Sequence, residues 1–561
     1  MTSSPAQSAR DLARHAVARA LENAQAEGAL PQFGDGESAP AVEVVRPDNT
    51  EHGDLSTNLA LQLAGRLKRP PRAIAEALAE RVTLTAGEGA VARAEVAGPG
   101  FVNLWLAPGY VEGALDAVRR AGSDYGRMPA DTTQSINVEF VSANPTGPLT
   151  IGNARGAFVG DLLCRVLEAV GHEVTREYYF NDFGTQVANL GKSVLAVRQG
   201  QPLPDDGYRG DYVNELAAAV PADVWAQAQA EPERAGWILG EWASERVRAG
   251  IEASLEHLGV HFDVWKSEGS LHREGWVERA VGRLRESGHA YEQEGALWFR
   301  STDYGDDKDR VVIRSNGQPT YLAADVGYLI EKFSRDFDRL IYIWGADHHG
   351  TVARLRGGAQ ALGFDREQVH VLLIAWVRFV REGREISMSK RSGEFITLDE
   401  LLAEVGVDAA RWFFASRSPS TGIDFDIELA RKQSNENPVY YVQYAHARIS
   451  SILRKAASEG LAPAPSLVDA LEGDEVSLGL AKELLRLPDV VRDAAQAHET
   501  QAITTYATSL ATTFHAFYRD RRVVDADDPS TSGVRLALVD ATRITLANAL
   551  GLLGISAPES M

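Results

Sequence analysis

Thiols are nearly absent: Cys164 is the single cysteine among 561 residues. An intrachain disulfide is therefore impossible, and so is a structural zinc site built from several thiolates at short spacing. The same scarcity suits a reducing compartment, and a cytoplasmic location is expected. No cluster of histidines and carboxylates has metal-ligand spacing either, so no metal site is expected. No apolar run reaches the 18 or so residues that a membrane span requires. The opening MTSSPAQSAR has neither the positive n-region nor the apolar h-region of a secretory signal. Positive charge is in short supply too, with 57 Lys and Arg against 78 Asp and Glu and a net charge of −21. Taken as an average, that field argues against a nucleic-acid partner. Local patches survive it: Arg66, Lys68, Arg69 and Arg72 early in the chain, and Arg519, Arg521 and Arg522 late. Such runs are either phosphate contacts or solvated helix faces.

What is present is an ordinary globular composition, 44% hydrophobic and 24% charged, in a chain too long for one core. Residues 10–26 and 56–83 carry apolar positions at helical spacing, the second interrupted at Pro70-Pro71. AVEVV (41–45) and FVNLWL (101–106) read as strands. Together they predict an N-terminal α+β domain over residues 1–115. From about 130 the pattern changes. INVEFV (136–141) alternates as a strand does, the prolines and glycine of SANPTGPLT break it, and residues 151–170 repeat apolar side chains at helical spacing. EVTREYYF (173–180) is the next strand, so the stretch is a βαβ unit. A second unit follows at RLIYIW (339–344), a helix over about 351–362, and VHVLLIAW (369–376). Two such halves, separated by a mixed insertion at about 190–300, predict a split Rossmann-like domain over 130–410. Beyond about 405 the chain reads as helix, apart from a surface connection at 460–475, and residues 411–561 are expected to form an all-α bundle. The fold class is thus multidomain α/β.

Two loops hold the chemistry. Pro145-Thr146-Gly147-Pro148-Leu149-Thr150-Ile151-Gly152-Asn153 lies where the first strand passes into its helix. Unpaired N–H groups and a partial positive charge at a helix N-terminus suit a phosphate, and Gly152 leaves the backbone bare for a nucleotide. Alternatively, Thr150 is a plain N-cap and the prolines stiffen a turn. Ser387-Met388-Ser389-Lys390-Arg391-Ser392-Gly393 follows the second half and could close over a triphosphate. Alone it could equally be surface. The two loops gain meaning as a pair, because both follow strands of one inferred parallel sheet.

The first loop resembles the class I synthetase signature usually written His-Ile-Gly-His, and the second the Lys-Met-Ser-Lys-Ser loop. VEFVSANPTGPL (138–149), IGNARG (151–156), YYFNDFG (178–184), TYLAADVGY (320–328), IWGADHHG (343–350) and ENPVYYVQYAHARI (436–449) together resemble the bacterial arginyl-tRNA synthetases, from about His52 to the C-terminus. The sequence departs at three family positions: Thr150 and Asn153 stand where the signature has histidines, and Ser387 replaces the first lysine of the second loop, while Lys390 keeps the second. The resemblance implies an arginine–tRNA ligase that uses MgATP, L-arginine and tRNA(Arg). It implies ATP contacts from Pro148, Gly152, Asn153, Arg155, Gly345, Asp347, His348, Met388, Ser389 and Lys390, with Thr150, Asn153 and Lys390 acting on the reacting phosphate. It also implies an arginine pocket of Glu139, Asn144, Tyr321 and Asp325 with His349 nearby. A guanidinium offers five donors and a permanent charge, which such a pocket matches. In that pocket Asp325 is the expected guanidinium partner. The alternative reading has Glu139 in a structural pair and Tyr321 filling core.

The same likeness assigns the N-terminal domain, through HGDLSTN (52–58) and GPGFVN (98–103), to the tRNA elbow, with Phe101 stacking a base and Asn103 reading its edge. The C-terminal bundle is assigned to the anticodon through Tyr441, Tyr444 and Arg448, although aromatics at that spacing, Tyr440 included, also suit a core. No stretch reads as a dimer helix, so a monomer is expected. Two other functions compete: a synthetase-like ligase that passes its amino acid to a small molecule, and a non-catalytic RNA-binding relative. The terminal domains weigh against the first and an intact Lys390 against the second.

Overall fold

The computed structural model describes residues 8–34, 36–47, 49–84, 89–386 and 396–561. The N-terminal part begins with α1 (Ala9–Ala26), whose N-cap Ser8 accepts the N–H of Asp11 and whose buried stripe is Ala13, Val17, Ala20, Leu21 and Ala24. After β1 (Leu55–Thr57) come α2 (Leu59–Leu67) and α3 (Pro71–Leu84), then β2 (Val91–Ala97) and β3 (Phe101–Leu106). The strands form an antiparallel sheet in the order β1-β3-β2 against which α3 packs. Residues 41–45 are not a strand: only Val45 bridges to Ser56. Pro40 and Pro47 bracket that segment, and proline has no N–H to give to a ladder. Helix α4 (Pro108–Ala121) leads out of this part.

Five parallel strands form the central sheet, β4 (Ser135–Glu139), β5 (Glu173–Phe180), β6 (Val264–Ser267), β10 (Arg339–Gly345) and β11 (Val369–Ile374), in the order β11-β10-β4-β5-β6. Helix α5 (Ile151–Ala169) follows β4. Sequence reasoning found four of these strands. It missed β6, a short VWKS run lying inside the expected insertion. Residues 185–313 otherwise comprise α6 (Thr185–Arg198), α7 (Asp211–Ala219), α8 (Ala222–Ala230) and α9 (Ala235–His257), then α10 (Glu268–Arg273), α11 (Trp276–Glu286) and a small antiparallel sheet of β7 (Ala290–Gln293), β8 (Ala296–Phe299) and β9 (Arg310–Ile313). Helices α6 and α9 touch backbone to backbone at Gly191, where a Cβ would meet the Gly236 carbonyl oxygen at 1.8 Å. Helix α12 (Tyr321–Phe333) precedes β10, and α13 (His349–Ala361) follows it.

The chain runs from β4 to β5 on one side and later from β10 to β11 on the other, so the order reverses between β4 and β10. In open parallel sheets the crevice at the carboxyl ends of such a pair is where ligands sit. Both the 141–150 loop and the 345–350 turn open there.

The remainder is mostly helical, with one exception that periodicity missed. Strand β14 (Ile423–Asp426) pairs in parallel with β12 (Val377–Arg381), which also pairs with β13 (Arg384–Glu385). Around them lie α14 (Leu398–Val405), α15 (Val407–Ala415) and α16 (Ile427–Arg431). The final bundle is α17 (Pro438–Ser458), α18 (Glu475–Leu484), α19 (Leu487–Ala497), α20 (Gln501–Asp520) and α21 (Pro529–Leu552). The two ends of the chain dock on each other. Arg10 binds Asp493 at 2.8 Å, Arg492 binds Asp11, and the Lys482 ammonium lies 2.8 Å from Asp54. Buried Glu112 and Asp116 of α4 accept backbone N–H groups of Asp469, Leu471 and Leu467. Among the described residues no helix is long and apolar enough to cross a membrane.

Candidate active site

The loop after β4 is bent by two successive left-handed residues, Val141 (φ 66°) and Ser142 (φ 43°). A β-branched residue in that region costs on the order of 1–3 kcal/mol and persists only where its surroundings enforce it. Here Tyr178 enforces it: its hydroxyl donates to Ala143 O at 2.9 Å and accepts the Ala143 N–H at 3.0 Å. Ser142 Oγ accepts the Tyr179 N–H and donates to Glu139. The bend carries the chain to Thr150, the N-cap of α5. The Thr150 N–H and hydroxyl both donate to Asn153 Oδ1, each at 3.0 Å. The hydroxyl proton expected to face a phosphate is thus turned towards Asn153. Gly152 is exposed, and a Cβ there would meet nothing closer than the Thr150 hydroxyl at 3.4 Å, so the backbone at the helix start is bare. Pro148 beside it is exposed.

The second loop, with Ser387, Met388, Ser389 and Lys390, lies outside the described residues. Its return does not. The Ile151 N–H donates to Ile396 O at 3.2 Å, the Leu398 N–H donates to Leu149 O at 2.9 Å, and Thr150 bridges to Thr397. Segment 396–398 is therefore laced to the first loop. Gly345, Asp347, His348 and His349 occupy the exposed turn after β10, where His348 Nε2 lies 3.5 Å from Asp347. Arg155 does not join this open face. Its guanidinium is buried, donates to Ala375 O at 2.8 Å and Ser418 O at 2.9 Å, and is pulled down to about 10 by burial. It ties α5 to the segments that follow β11 and α15.

Beneath the loop lies a cluster of charges. Lys332 is fully buried, 2.7 Å from Glu139 Oε2, with its ammonium over the rings of Tyr328 (4.5 Å) and Tyr342 (4.0 Å). Burial drives Glu139 towards its neutral form and Lys332 opposes it. We assign Glu139 as ionised, since its partner is an ammonium at hydrogen-bond distance. Glu177 is satisfied by Arg335, Asn137 and Tyr328. Two carboxylates of this cluster have no cation in contact among the described residues. Glu268, at the start of α10, receives among the described residues only the Tyr179 hydroxyl at 2.9 Å, and burial raises it. Asp325, one turn into α12, has no hydrogen-bond partner among the described residues. Shielding from water, then Glu268, then Glu139 push it up to about 7, with Arg354 opposing. The Tyr342 hydroxyl is buried and has no hydrogen-bond partner among the described residues. An added cation is what this pocket lacks.

Asn144 is exposed at the rim, where its Nδ2 donates to Gln186 Oε1 at 2.7 Å and its Oδ1 accepts the Asn181 N–H. Tyr321 opens α12 and is 70% exposed, so it does not fill core. Sequence reasoning missed Lys332, Tyr179, Glu268 and Tyr342. Lys332 carried a signal, because it lies seven residues after Asp325 on one helix face. Glu268 carried none, lying in an insertion with no motif.

At the N-terminal end Phe101 is 41% exposed, whereas Asn103 is buried and its Oδ1 accepts the Ser56 hydroxyl at 2.9 Å. Asn103 is thus turned into the β1–β3 pair and away from a base edge. On α17 the rings of Tyr440 and Tyr444 stack at 6.2 Å, and Arg448 lies over Tyr444 at 4.7 Å and donates to its hydroxyl. Tyr441 meets His515 at 5.0 Å. All of these are half-buried, with faces on both core and surface.

A switch-point crevice with the first signature loop at its mouth and segment 396–398 laced to that loop, in a chain whose two ends dock on each other, defines a class I tRNA synthetase. The same fold, at 13% identity and a TM-score of 0.53, is found in a Mycobacterium tuberculosis methionyl-tRNA synthetase over 75% of this chain and 92% of that one. Family models match along the sequence: "Arginyl tRNA synthetase N terminal domain" over 11–106, "tRNA synthetases class I (R), catalytic domain" over 118–201 and 242–419, and "DALR anticodon binding domain" over 442–561. The arginine–tRNA ligase of Geobacillus kaustophilus is 46% identical over 529 residues, 93% of this chain and 95% of that one. That of Syntrophotalea carbinolica is 46% identical over 533 residues, with 93% and 95% covered. The Thermus thermophilus arginyl-tRNA synthetase structure superposes with a TM-score of 0.77 at 25% identity, covering 98% of this chain and 100% of that one. The chain belongs to the arginyl-tRNA synthetase family.

Proposed function

We propose that this protein is an arginine–tRNA ligase. An arginine carboxylate oxygen attacks the α-phosphorus of MgATP, pyrophosphate leaves, and arginyl adenylate forms. A hydroxyl at the 3′ end of tRNA(Arg) then attacks the activated carbonyl, and AMP leaves. The observation that carries the substrate assignment is Asp325, a shielded carboxylate without a hydrogen-bond partner among the described residues and facing Glu268. Asp325 receives the guanidinium, with Glu139 behind it in its pair with Lys332. Asn144 at the rim, Tyr321 as an exposed wall and His349 complete the arginine site.

The triphosphate lies over the bare start of α5 at Pro148, Gly152 and Asn153, against the turn of Gly345, Asp347 and His348. Fixed N–H groups there stabilise charge that develops on the phosphate without reorganising. Met388, Ser389 and Lys390 close from the second loop, Lys390 supplying the cation. Phe101 meets the tRNA elbow, and Tyr441, Tyr444 and Arg448 meet the anticodon region. The domains are 1–115, 130–410 with its insertion at about 190–300, and 411–561. The enzyme acts as a monomer in the cytoplasm. The test is ATP–pyrophosphate exchange with each amino acid, with and without total tRNA. Arginine-dependent exchange and arginylation are expected, and exchange driven by another amino acid would overturn the assignment.

A further inference from the structure

Phe183 is 51% exposed three residues beyond β5, at the edge of the sheet where the crevice opens. Leaving much of a phenyl ring in water forgoes part of its hydrophobic burial, and here the exposure is enforced by a tightly bonded loop. The Phe183 N–H donates to Asn181 Oδ1 at 2.8 Å, and the Asn181 N–H donates to Asn144 Oδ1 at 3.3 Å. Asp182 accepts the Ser267 hydroxyl at 2.6 Å and the Gly269 N–H at 3.0 Å. The ring meets Trp237 of α9 edge-on at 5.9 Å and His272 of α10 at 5.7 Å, and both of these are half-buried. His272 follows Glu268 by four residues, so the two share one face of α10, separated by a rise of about 6 Å. One end of that short helix looks into the acidic pocket, and the other supports the exposed ring. Arg273 beside them is exposed, its guanidinium lies along Gly269, and it forms no ion pair with a described carboxylate.

We propose that Phe183, backed by Trp237 and His272, seats an unpaired nucleotide of the tRNA 3′ end, the base stacked on the ring and a phosphate against Arg273. This rests on the ligase reading, which requires that 3′ end to reach the carboxyl group of an arginine held at Asp325. Unpaired RNA bases are recognised by stacking on aromatic rings, and Arg273, next to His272 on α10, supplies a cation for the backbone charge. Of the three rings only Phe183 is exposed, and a single ring offers the area of one base rather than a seat for a helix or strand of a protein partner.

The test is a binding comparison between intact tRNA(Arg) and the same RNA lacking its three 3′ nucleotides, with wild type, Phe183→Ala and Phe183→Trp. Phe183→Ala is expected to weaken intact tRNA about 5- to 150-fold, the range of one stacked base. It is expected to bind the shortened RNA as wild type does, while Phe183→Trp keeps the affinity for intact tRNA. Equal losses on both RNAs, or no loss on either, overturn the proposal. Unchanged arginine protection of Phe183→Ala against thermal unfolding verifies that the variant folds. Arginylation by the wild type is measured separately: its absence removes the ligase reading, whereas charging without a 3′-end-dependent loss removes this inference alone.

Discussion

Thr150 and Asn153 are bound to each other, the N–H and hydroxyl of one both donating to Oδ1 of the other at 3.0 Å. The backbone N–H requires an acceptor, which fixes the amide orientation. The Asn153 amide oxygen faces inward and its NH2 is left free to donate outward. Thr150 spends its only proton inside the pair. The pair therefore offers an attacked phosphate one side-chain donor, and that donor belongs to Asn153.

Asn153→Ala should then cost more than Thr150→Ala. Removing one preorganised donor to a developing oxyanion costs roughly 10²–10³ in kcat, and that is expected for Asn153→Ala in aminoacylation at saturating tRNA. Thr150→Ala, which only loosens the orientation of Asn153, should lose about tenfold, or ~1.36 kcal/mol. Thr150→His should gain little. The reverse order of the two alanine variants would show that the threonine hydroxyl makes the phosphate contact.

Arginine binding should depend on pH through Asp325. Its folded value of about 7 lies well above the ordinary 3.8, so near neutrality part of the empty enzyme holds it protonated. A guanidinium binds the charged form, so arginine affinity should rise with pH, flatten above about 7, and fall tenfold per unit below it. Asp325→Asn should raise the arginine KM by a factor reflecting about 2–5 kcal/mol and spare that for ATP. Stability has the opposite sign. A raised carboxyl value means that ionisation destabilises the unliganded fold, with the loss developing from about pH 4 to 7. Asp325→Asn should therefore melt above the wild type at pH 8, and a lower melting point there would contradict the desolvated pocket.

Lys332→Ala leaves Glu139 as an uncompensated buried charge beneath the pocket. A denaturant midpoint shift equivalent to about 3–5 kcal/mol is expected. Adding Glu139→Gln should recover much of it. If the double variant is no more stable than the single one, the pair is not the origin of the loss.

The basic patches should not contribute equally to tRNA binding. Arg519, Arg521 and Arg522 each lie within ion-pair reach of Asp520, Asp474 and Asp525 respectively. Lys68 and Arg69 are exposed, without an ion pair among the described residues. Replacing both with alanine should lower the slope of log Kd against log salt by about two, one for each phosphate released. Arg521→Ala should change it less, and equal effects would mean that the carboxylates let go when RNA binds.

Much of this fold was legible because its strands are short apolar runs and its helices repeat at 3.6. That is how four sheet strands, α5 and α13 could be read without coordinates. Strand β6 was hidden because VWKS is brief and polar, and β14 because IDFD sits among helices. Motifs located the crevice, since they record which loops meet ligand. They could not tell a side chain that faces the crevice from one that props it up. Arg155 and Asn103 share a motif with open neighbours, yet both are spent on internal hydrogen bonds. That distinction depends on contacts with distant parts of the sequence, 47 residues away for Asn103 with Ser56 and 263 for Arg155 with Ser418. Periodicity within one segment holds no trace of them.

The docking of the chain's two ends has a consequence for how the protein is made. Glu112 and Tyr125 find their partners only 357 and 359 residues later, at Asp469 and Leu484. A ribosome adding roughly 5–20 residues per second exposes the first domain for on the order of tens of seconds before those partners emerge. During that interval the carboxylates of Glu112 and Asp116, buried in the finished enzyme, are in water. Each nascent chain must therefore hold its first domain together with the core of α1, α3 and the β1–β3–β2 sheet alone.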